Sequence, residues 1–292
     1  MKVTLQVNMT RKNAYNVAVS VCRHLESLGI IILMDRSYSD IFSDMPVIFS
    51  DAENSIKECD ILISVGGDGT IIHSAQAAAM YDKPVLGINA GRLGFLAGLE
   101  KSELDRLVCL KTGDYTVDNR MRLEVRHYEG SELIDVYTCL NDIVIGRGAS
   151  LRLCDIDAKS EGNLLFNYLA DGLIVSTPTG STAYSLSSGG PVVDTDIESL
   201  ILTPICSHSL FSRSIIFKPE TIIEFNVNNC ENCSPVFSCD GELGIPITSQ
   251  TRILVTKSER YSKIIRIKSD SFSDILNNKL IERYKHQQGE GK

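Results

Sequence analysis

The sequence predicts an open α/β domain joined to a β-rich domain, with a last helix that returns to the first. Three patterns carry this expectation. Strands and helices alternate over roughly the first 95 residues, strand patterns alone continue to about residue 268, and helical spacing then returns. The expected division is 1–98 plus 269–292 for the α/β domain and 99–268 for the β-rich domain.

Val3, Leu5 and Val7 alternate as the first strand. Ala14, Val17, Ala18, Val21, Cys22, Leu25 and Leu28 recur at helical spacing, and Gly29 supplies the stop. Ile30 to Met34 has strand length. A second unit runs from the strand Asp60 to Val65, through a glycine turn, into a helix carrying Ile71, Ile72, Ala75 and Ala78. Pro84 to Asn89 reads as another buried strand. This alternation implies a parallel, Rossmann- or flavodoxin-like sheet with ligands outside the carboxyl ends of its strands. Ser102, with Asp105 three residues on, predicts a capped helix. Strands follow at Leu123–His127, Leu133–Leu140, Ile143–Ile145, Ile222–Val227 and Ile253–Lys257. Phe272, Ile275, Leu276, Leu280, Ile281 and Tyr284 form the last helical pattern, and 286–292 reads as a frayed tail.

The chain has 292 residues, 43% of them hydrophobic, enough to fill two cores. Its net charge of -8 argues against a nucleic-acid binder, which presents a basic face to phosphate. The first residues lack the apolar run of a signal peptide, and no stretch nears the roughly 18 apolar residues that span a bilayer. A cytoplasmic protein, with neither membrane nor nucleic acid as partner, is expected. The nine cysteines are scattered. Cys230 and Cys233 make a single C-x-x-C pair without the second pair or histidines that zinc requires, so they read as structural.

Val65-Gly66-Gly67-Asp68-Gly69-Thr70 lies where an apolar strand hands over to a helix. Glycines there let the backbone turn and approach a ligand, and the free N–H groups of the helix start favour an anion. Gly66, Gly67, Gly69 and Thr70 are therefore candidate phosphate holders through their backbone N–H groups. The loop matches neither G-x-x-x-x-G-K-[ST] nor G-x-G-x-x-G. Asp68 would repel phosphate unless it meets a sugar hydroxyl, a proton or a metal ion. The plainer reading is an aspartate that caps the helix. A second segment, Asp171 to Pro191, sends a short strand into a turn crowded with hydroxyls, followed by a short helix near Ser181 and a glycine pair. Hydroxyls on such a turn bond their own backbone or a polar ligand, and both readings stay open.

The first loop resembles that of NAD kinases, of diacylglycerol and sphingosine kinases and, more distantly, of phosphofructokinases. The second segment, D-G-x-x-x-[ST]-T-P-T-G-S-T-A-Y-x-x-S-x-G-G-P, resembles the NAD kinase family specifically. So do Leu140-Asn141-Asp142, the turn from Pro84 to Leu96, Pro204 to Leu210, and Ser238 to Glu242, all in the family's order.

That resemblance implies a C-terminal β-sandwich, an active site in the crevice between the domains, and a homodimer or homotetramer sharing its NAD site. It implies NAD and ATP as substrates, with Mg²⁺ as the divalent metal and no dedicated protein ligand for it. Asp68 becomes the catalytic carboxylate. Asp68, Gly69, His73, Phe95, Asn141, Asp142, Arg152, Asp171, Thr182, Ala183, Tyr184, Ser185, Leu186 and Ser187 become NAD-binding. His73 reads equally as a polar helix-face residue, and Arg152 as a solvated strand residue. Two departures stand out. Asp142 is one methylene shorter than the glutamate common at its position, and Glu242 replaces a common glutamine with a carboxylate that repels phosphate. A lipid kinase would share the first loop without the second segment, and a non-catalytic dinucleotide sensor would keep the pocket alone.

Overall fold

A computed structural model describes residues 1–11, 13–91, 94–208, 212–228 and 230–278. The expected positions Arg92, Leu93, Ser209 and Leu210, and the last helix beyond 278, lie outside the described residues.

The chain divides into two compact units, residues 1–119 with 262–292, and residues 120–261. The first unit begins with β1 (Lys2–Val7), α1 (Ala14–Ser27), β2 (Ile31–Asp35), β3 (Val47–Ser50) and α2 (Ala52–Glu58). It continues with β4 (Ile61–Gly66), α3 (Asp68–Ala79), β5 (Pro84–Asn89), β6 (Leu99–Glu100), α4 (Val108–Thr112) and β7 (Thr116–Arg120). The second unit runs through β8 (Leu123–Glu129), β9 (Glu132–Cys139), β10 (Asp142–Gly146), β11 (Cys154–Ser160), β12 (Asn163–Ala170) and β13 (Gly172–Ser176). After α5 (Tyr184–Ser187) come β14 (Leu200–Ile205), β15 (Ile215–Phe217), β16 (Ile223–Val227), α6 (Cys230–Cys233), β17 (Val236–Cys239), β18 (Ile245–Pro246) and β19 (Thr251–Lys257). The chain then returns to the first unit as β20 (Ser262–Arg266) and helical residues 272–278.

The first sheet has the order β3-β2-β1-β4-β5-β20-β7, with β6 beside β5. Its central pairs β1–β2, β1–β4, β4–β5 and β5–β20 are parallel. All six residues of β4 are buried, which explains why Ile61 to Val65 carries apolar side chains at every position but Ser64 instead of alternating. The apolar stripe of α1 (Val17, Val21, Leu25) joins Val3, Leu5 and Ile63 in one core. Gly29, at φ +70°, gives its N–H to Glu26 and ends the helix as expected.

The second unit is a sandwich of two six-stranded sheets, β15-β14-β13-β10-β17-β18 and β12-β11-β16-β19-β8-β9. Alternation along β8, β11, β16 and β19 turns one side of each strand inward. Leu123, Val125, Ile156, Phe225 and Val255 meet Ile143, Leu173, Leu202 and Phe237 in the core between the sheets.

Two differences from expectation have local causes. The segment 99–119 belongs to the first unit, beyond the expected boundary at 98, because β6 pairs with β5 and β7 joins the sheet beside β20. For the same reason the return begins at 262 rather than 269: β20 pairs with β5. Ser102 makes no cap. The turn starts instead at Glu103, whose carboxylate accepts the Glu100 N–H at 2.8 Å, and Leu104–Leu107 forms a 3-10 turn before α4.

Candidate active site

In the first unit, Gly66 closes β4 and Gly67 caps α3, so Asp68 is the first helical residue. The Asp68 carboxylate accepts the backbone N–H groups of Phe95 (Oδ2, 2.8 Å) and Leu96 (Oδ1, 3.2 Å). It therefore points away from its own helix start and into the following turn. Aspartate as a simple cap would instead accept from the next N–H groups of its helix. Gly94 makes room for it, since a Cβ there would overlap Asp68 Oδ1. Phe95 is thus brought to Asp68 by its backbone.

The glycines divide by cause. Gly66 must lack a side chain because a Cβ would overlap that of Thr70. Gly67 has φ -110°, which any residue adopts, and only the Arg11 guanidinium comes within 4 Å of a Cβ built there. Gly69 has nothing within 4 Å. The fold does not demand glycine at 67 or 69. Open space beside free helix-start N–H groups is what a close-approaching anion uses.

Thr70 departs from expectation: its N–H goes to the Gly67 carbonyl at 2.9 Å, and its hydroxyl accepts from Asn8 Nδ2 at 2.9 Å. The loop donors left at the helix start are the N–H groups of Gly67, Asp68 and Gly69. A cleft of about 570 Å³ opens beside them, lined in part by Asn8, Arg11, Tyr38, Gly69, Thr70 and His73. His73 therefore faces the cleft from α3. Arg11 and Asn8 carry no motif and went unflagged in the sequence; only the parallel pairing of β1 with β4 brings them here.

In the second unit, the turn from β9 to β10 carries Asn141 and Asp142. Its backbone is held from two sides. Asp240, just after β17, accepts the N–H groups of Leu140 (2.7 Å), Asn141 (2.7 Å) and Asp142 (3.0 Å), and returns its own N–H to the Asp142 carbonyl at 2.9 Å. Thr177 takes the carbonyls: its hydroxyl donates to Leu140 at 2.6 Å and its N–H to Asn141 at 2.8 Å. Gly180 then passes so close to the Asn141 carbonyl that a Cβ would overlap it.

Asp142 is only 5% exposed. Burial, with the Asp240 carboxylate beside it, pushes its pKa up from 3.8 to about 7. Asp171 is ion-paired to Arg147 Nε at 2.8 Å. Arg152 lies exposed in the loop between β10 and β11, off any strand.

The hydroxyl-rich turn is mostly self-satisfied. Ser181 bonds the Pro178 carbonyl (2.6 Å) and the Val193 N–H (3.1 Å), Thr182 bonds the Thr179 carbonyl (3.3 Å), and Ser185 bonds Thr203 (3.1 Å). Tyr184 is 46% exposed, Ser187 is exposed, and Ala183 and Leu186 are half-buried. The plain reading accounts for Ser181, Thr182 and Ser185; Tyr184 and Ser187 are the side chains left facing outward. Cys233 is buried with its Sγ 3.2 Å from that of Cys154, in keeping with a structural C-x-x-C.

Among the described residues no three His, Cys, Asp or Glu side chains group as a metal site.

Comparison with known proteins identifies the family. The family model for the ATP-NAD kinase N-terminal domain matches residues 3–109, and that for the ATP-NAD kinase C-terminal domain matches 140–267. The chain is 42% identical to the NAD kinase of Caldanaerobacter subterraneus over 80% of its own length and 82% of the relative's. It is 37% identical to the NAD kinase of Natranaerobius thermophilus over 95% and 97%. The crystal structure of yeast NADH kinase complexed with NADH superposes with a TM-score of 0.85 at 25% identity, covering 95% of this chain and 86% of that one. The chain belongs to the ATP-NAD kinase family.

Proposed function

We propose that Asp68 is the catalytic carboxylate of an NAD kinase reaction and that the Asn141–Asp142 turn binds the dinucleotide. The reaction transfers the γ-phosphoryl group of ATP to the 2′-hydroxyl of NAD's adenosine ribose, giving NADP and ADP. The observation that carries this reading is the Asp68 carboxylate, held by the Phe95 and Leu96 N–H groups and turned away from its own helix. A capping aspartate has no use for that arrangement.

The ribose oxygen forms a bond to the γ-phosphorus as the bridging oxygen of ADP leaves. The hydroxyl proton passes to Asp68, late in the step, when attack has made the hydroxyl acidic. Because the transition state is loose, alignment and charge neutralisation supply most of the acceleration. The Asp68 and Gly69 N–H groups and the Arg11 guanidinium hold phosphate oxygens. Mg²⁺, when bound to the triphosphate, neutralises charge there. His73, Phe95, Arg152, Asp171 and the residues Thr182 to Ser187 complete the NAD contacts, with Tyr184 offering a ring to a base.

The working protein is a homodimer or homotetramer in the cytoplasm. Exposed Leu133, Ile134 and Val136 on β9, and Leu164, Phe166 and Leu169 on β12, support association, since both are edge strands of one sheet. Nine free cysteines suit a reducing compartment. No helix among the described residues is long and apolar enough to cross a membrane.

Purified protein assayed with ATP, Mg²⁺ and NAD, NADH or diacylglycerol tests the reading. NADP formation that Asp68→Asn abolishes is the expected result. Phosphorylated lipid, or dinucleotide binding without turnover, would overturn it.

A further inference from the structure

We propose that Asp240 is a positioning residue for dinucleotide binding, its carboxylate holding the Leu140–Asp142 turn in the shape that presents Asn141 and Asp142 to NAD. This rests on the reading of that pair as the NAD-binding turn.

Three consecutive N–H groups converge on one carboxylate, Leu140 on Oδ2 and both Asn141 and Asp142 on Oδ1. Such an arrangement fixes the φ and ψ angles of successive residues together, as a backbone nest does around an anion. The antiparallel register, with Ile143 opposite Cys239, brings residue 240 to the turn. Asp240 reaches it at φ +48°, a left-handed conformation that few side chains other than Asn and Asp tolerate.

A second feature is hard to explain by capping alone. Arg122 is 1% exposed, bonds Thr138, and its Nε has no hydrogen-bond partner. Its guanidinium is attracted to Asp240. A buried cation is costly unless it compensates a nearby charge. Here it offsets the carboxylate that the turn requires, beside a second carboxyl, Asp142. Charge is thus concentrated at the segment that carries the binding pair. The other face is held by neutral groups, Thr177 and the Gly180 backbone.

Asp240→Asn tests the role gently. Its amide oxygen can still accept from Asn141 and Asp142, while its NH₂ opposes the Leu140 N–H. The variant should raise KM for NAD about 10-fold and leave kcat and KM for ATP within about twofold. Hydrogen exchange at the amides of 140–142 should quicken in the same folded variant. Asp240→Ala, lacking every acceptor, should raise KM for NAD about 100-fold, and where it fails to fold the Asn variant decides. An unchanged KM for NAD in folded Asp240→Asn, or equal damage to kcat and both KM values, overturns the positioning role. Asn141→Ala separates this from the underlying reading. If it raises KM for NAD while Asp240→Asn does not, only the role of Asp240 falls; if it too leaves KM unchanged, the NAD-binding turn itself is wrong.

Discussion

The two units each hold a carboxylate, in opposite ways. In the α/β unit, Asp68 receives two N–H groups, Gly94 leaves room for its carboxylate, and its neighbour Gly69 lines a large cleft. In the sandwich, Asp142 is buried, and the polar atoms around it are engaged in bracing the backbone. The first half is built to let something in and the second to keep a shape.

Five substitutions break or sharpen that comparison. The largest effect is expected at Asp68→Asn, which keeps size and hydrogen-bonding oxygen but cannot take a proton. Its kcat should fall about 10³-fold, with NAD affinity measured by calorimetry and thermal stability little changed. Near-normal turnover would reduce Asp68 to a structural role.

Next comes Gly94→Ala. The added methyl displaces the Asp68 carboxylate, so kcat should drop about 100-fold while the sandwich stays intact. Gly69→Ala, where nothing lies near the methyl, is its control: it should leave the melting temperature alone yet raise KM for ATP by steric exclusion of phosphate. A Gly69→Ala enzyme with unaltered ATP kinetics would detach that glycine from phosphate binding.

Gly180→Ala probes the braced half. Its methyl overlaps the Asn141 carbonyl, so it should cost about 2 kcal/mol of stability in denaturant titrations and weaken NAD more than ATP. The last test uses pH. Asp142 has a pKa raised in the folded state from 3.8 to about 7, so the folded chain holds the proton more tightly than the unfolded one. Its contribution to stability is complete below about pH 4 and is lost as pH rises through about 7. Asp142→Asn cannot ionise. It should flatten this slope and exceed the wild type at pH 8 by up to roughly 4 kcal/mol, read from unfolding midpoints at pH 4 and 8.

How far the sequence reveals each half follows from contact range. The phosphate loop is six adjacent residues between an apolar strand and a helix, so Gly66 to Thr70 could be read locally. Even there, the Thr70 N–H proved committed to Gly67, because the third helical position already has a carbonyl in reach. The braced turn draws on residues 140, 177, 180 and 240, and no local pattern reveals that Asp240 serves Asn141. The hydroxyls of Ser181 and Thr182 look the same in sequence whether they bind a ligand or their own turn; here each donates to a carbonyl of that turn. The missed Ser102 cap is similar, since a suitable side chain three residues before an acid does not dictate which backbone N–H groups are left over. Strands β8, β16 and β19 were legible because alternation is written along each strand, and β10 because Ile143 to Ile145 is a short apolar run, whereas β20 as a member of the first sheet is a long-range pairing.

That last pairing bears on biosynthesis. Since β20 lies between β5 and β7, the sheet that contains β1 cannot close until residues 262–266 have been made. Synthesis from the N-terminus therefore offers no head start to the early domain. It must wait, part-assembled and with one strand position unfilled, through translation of the whole sandwich.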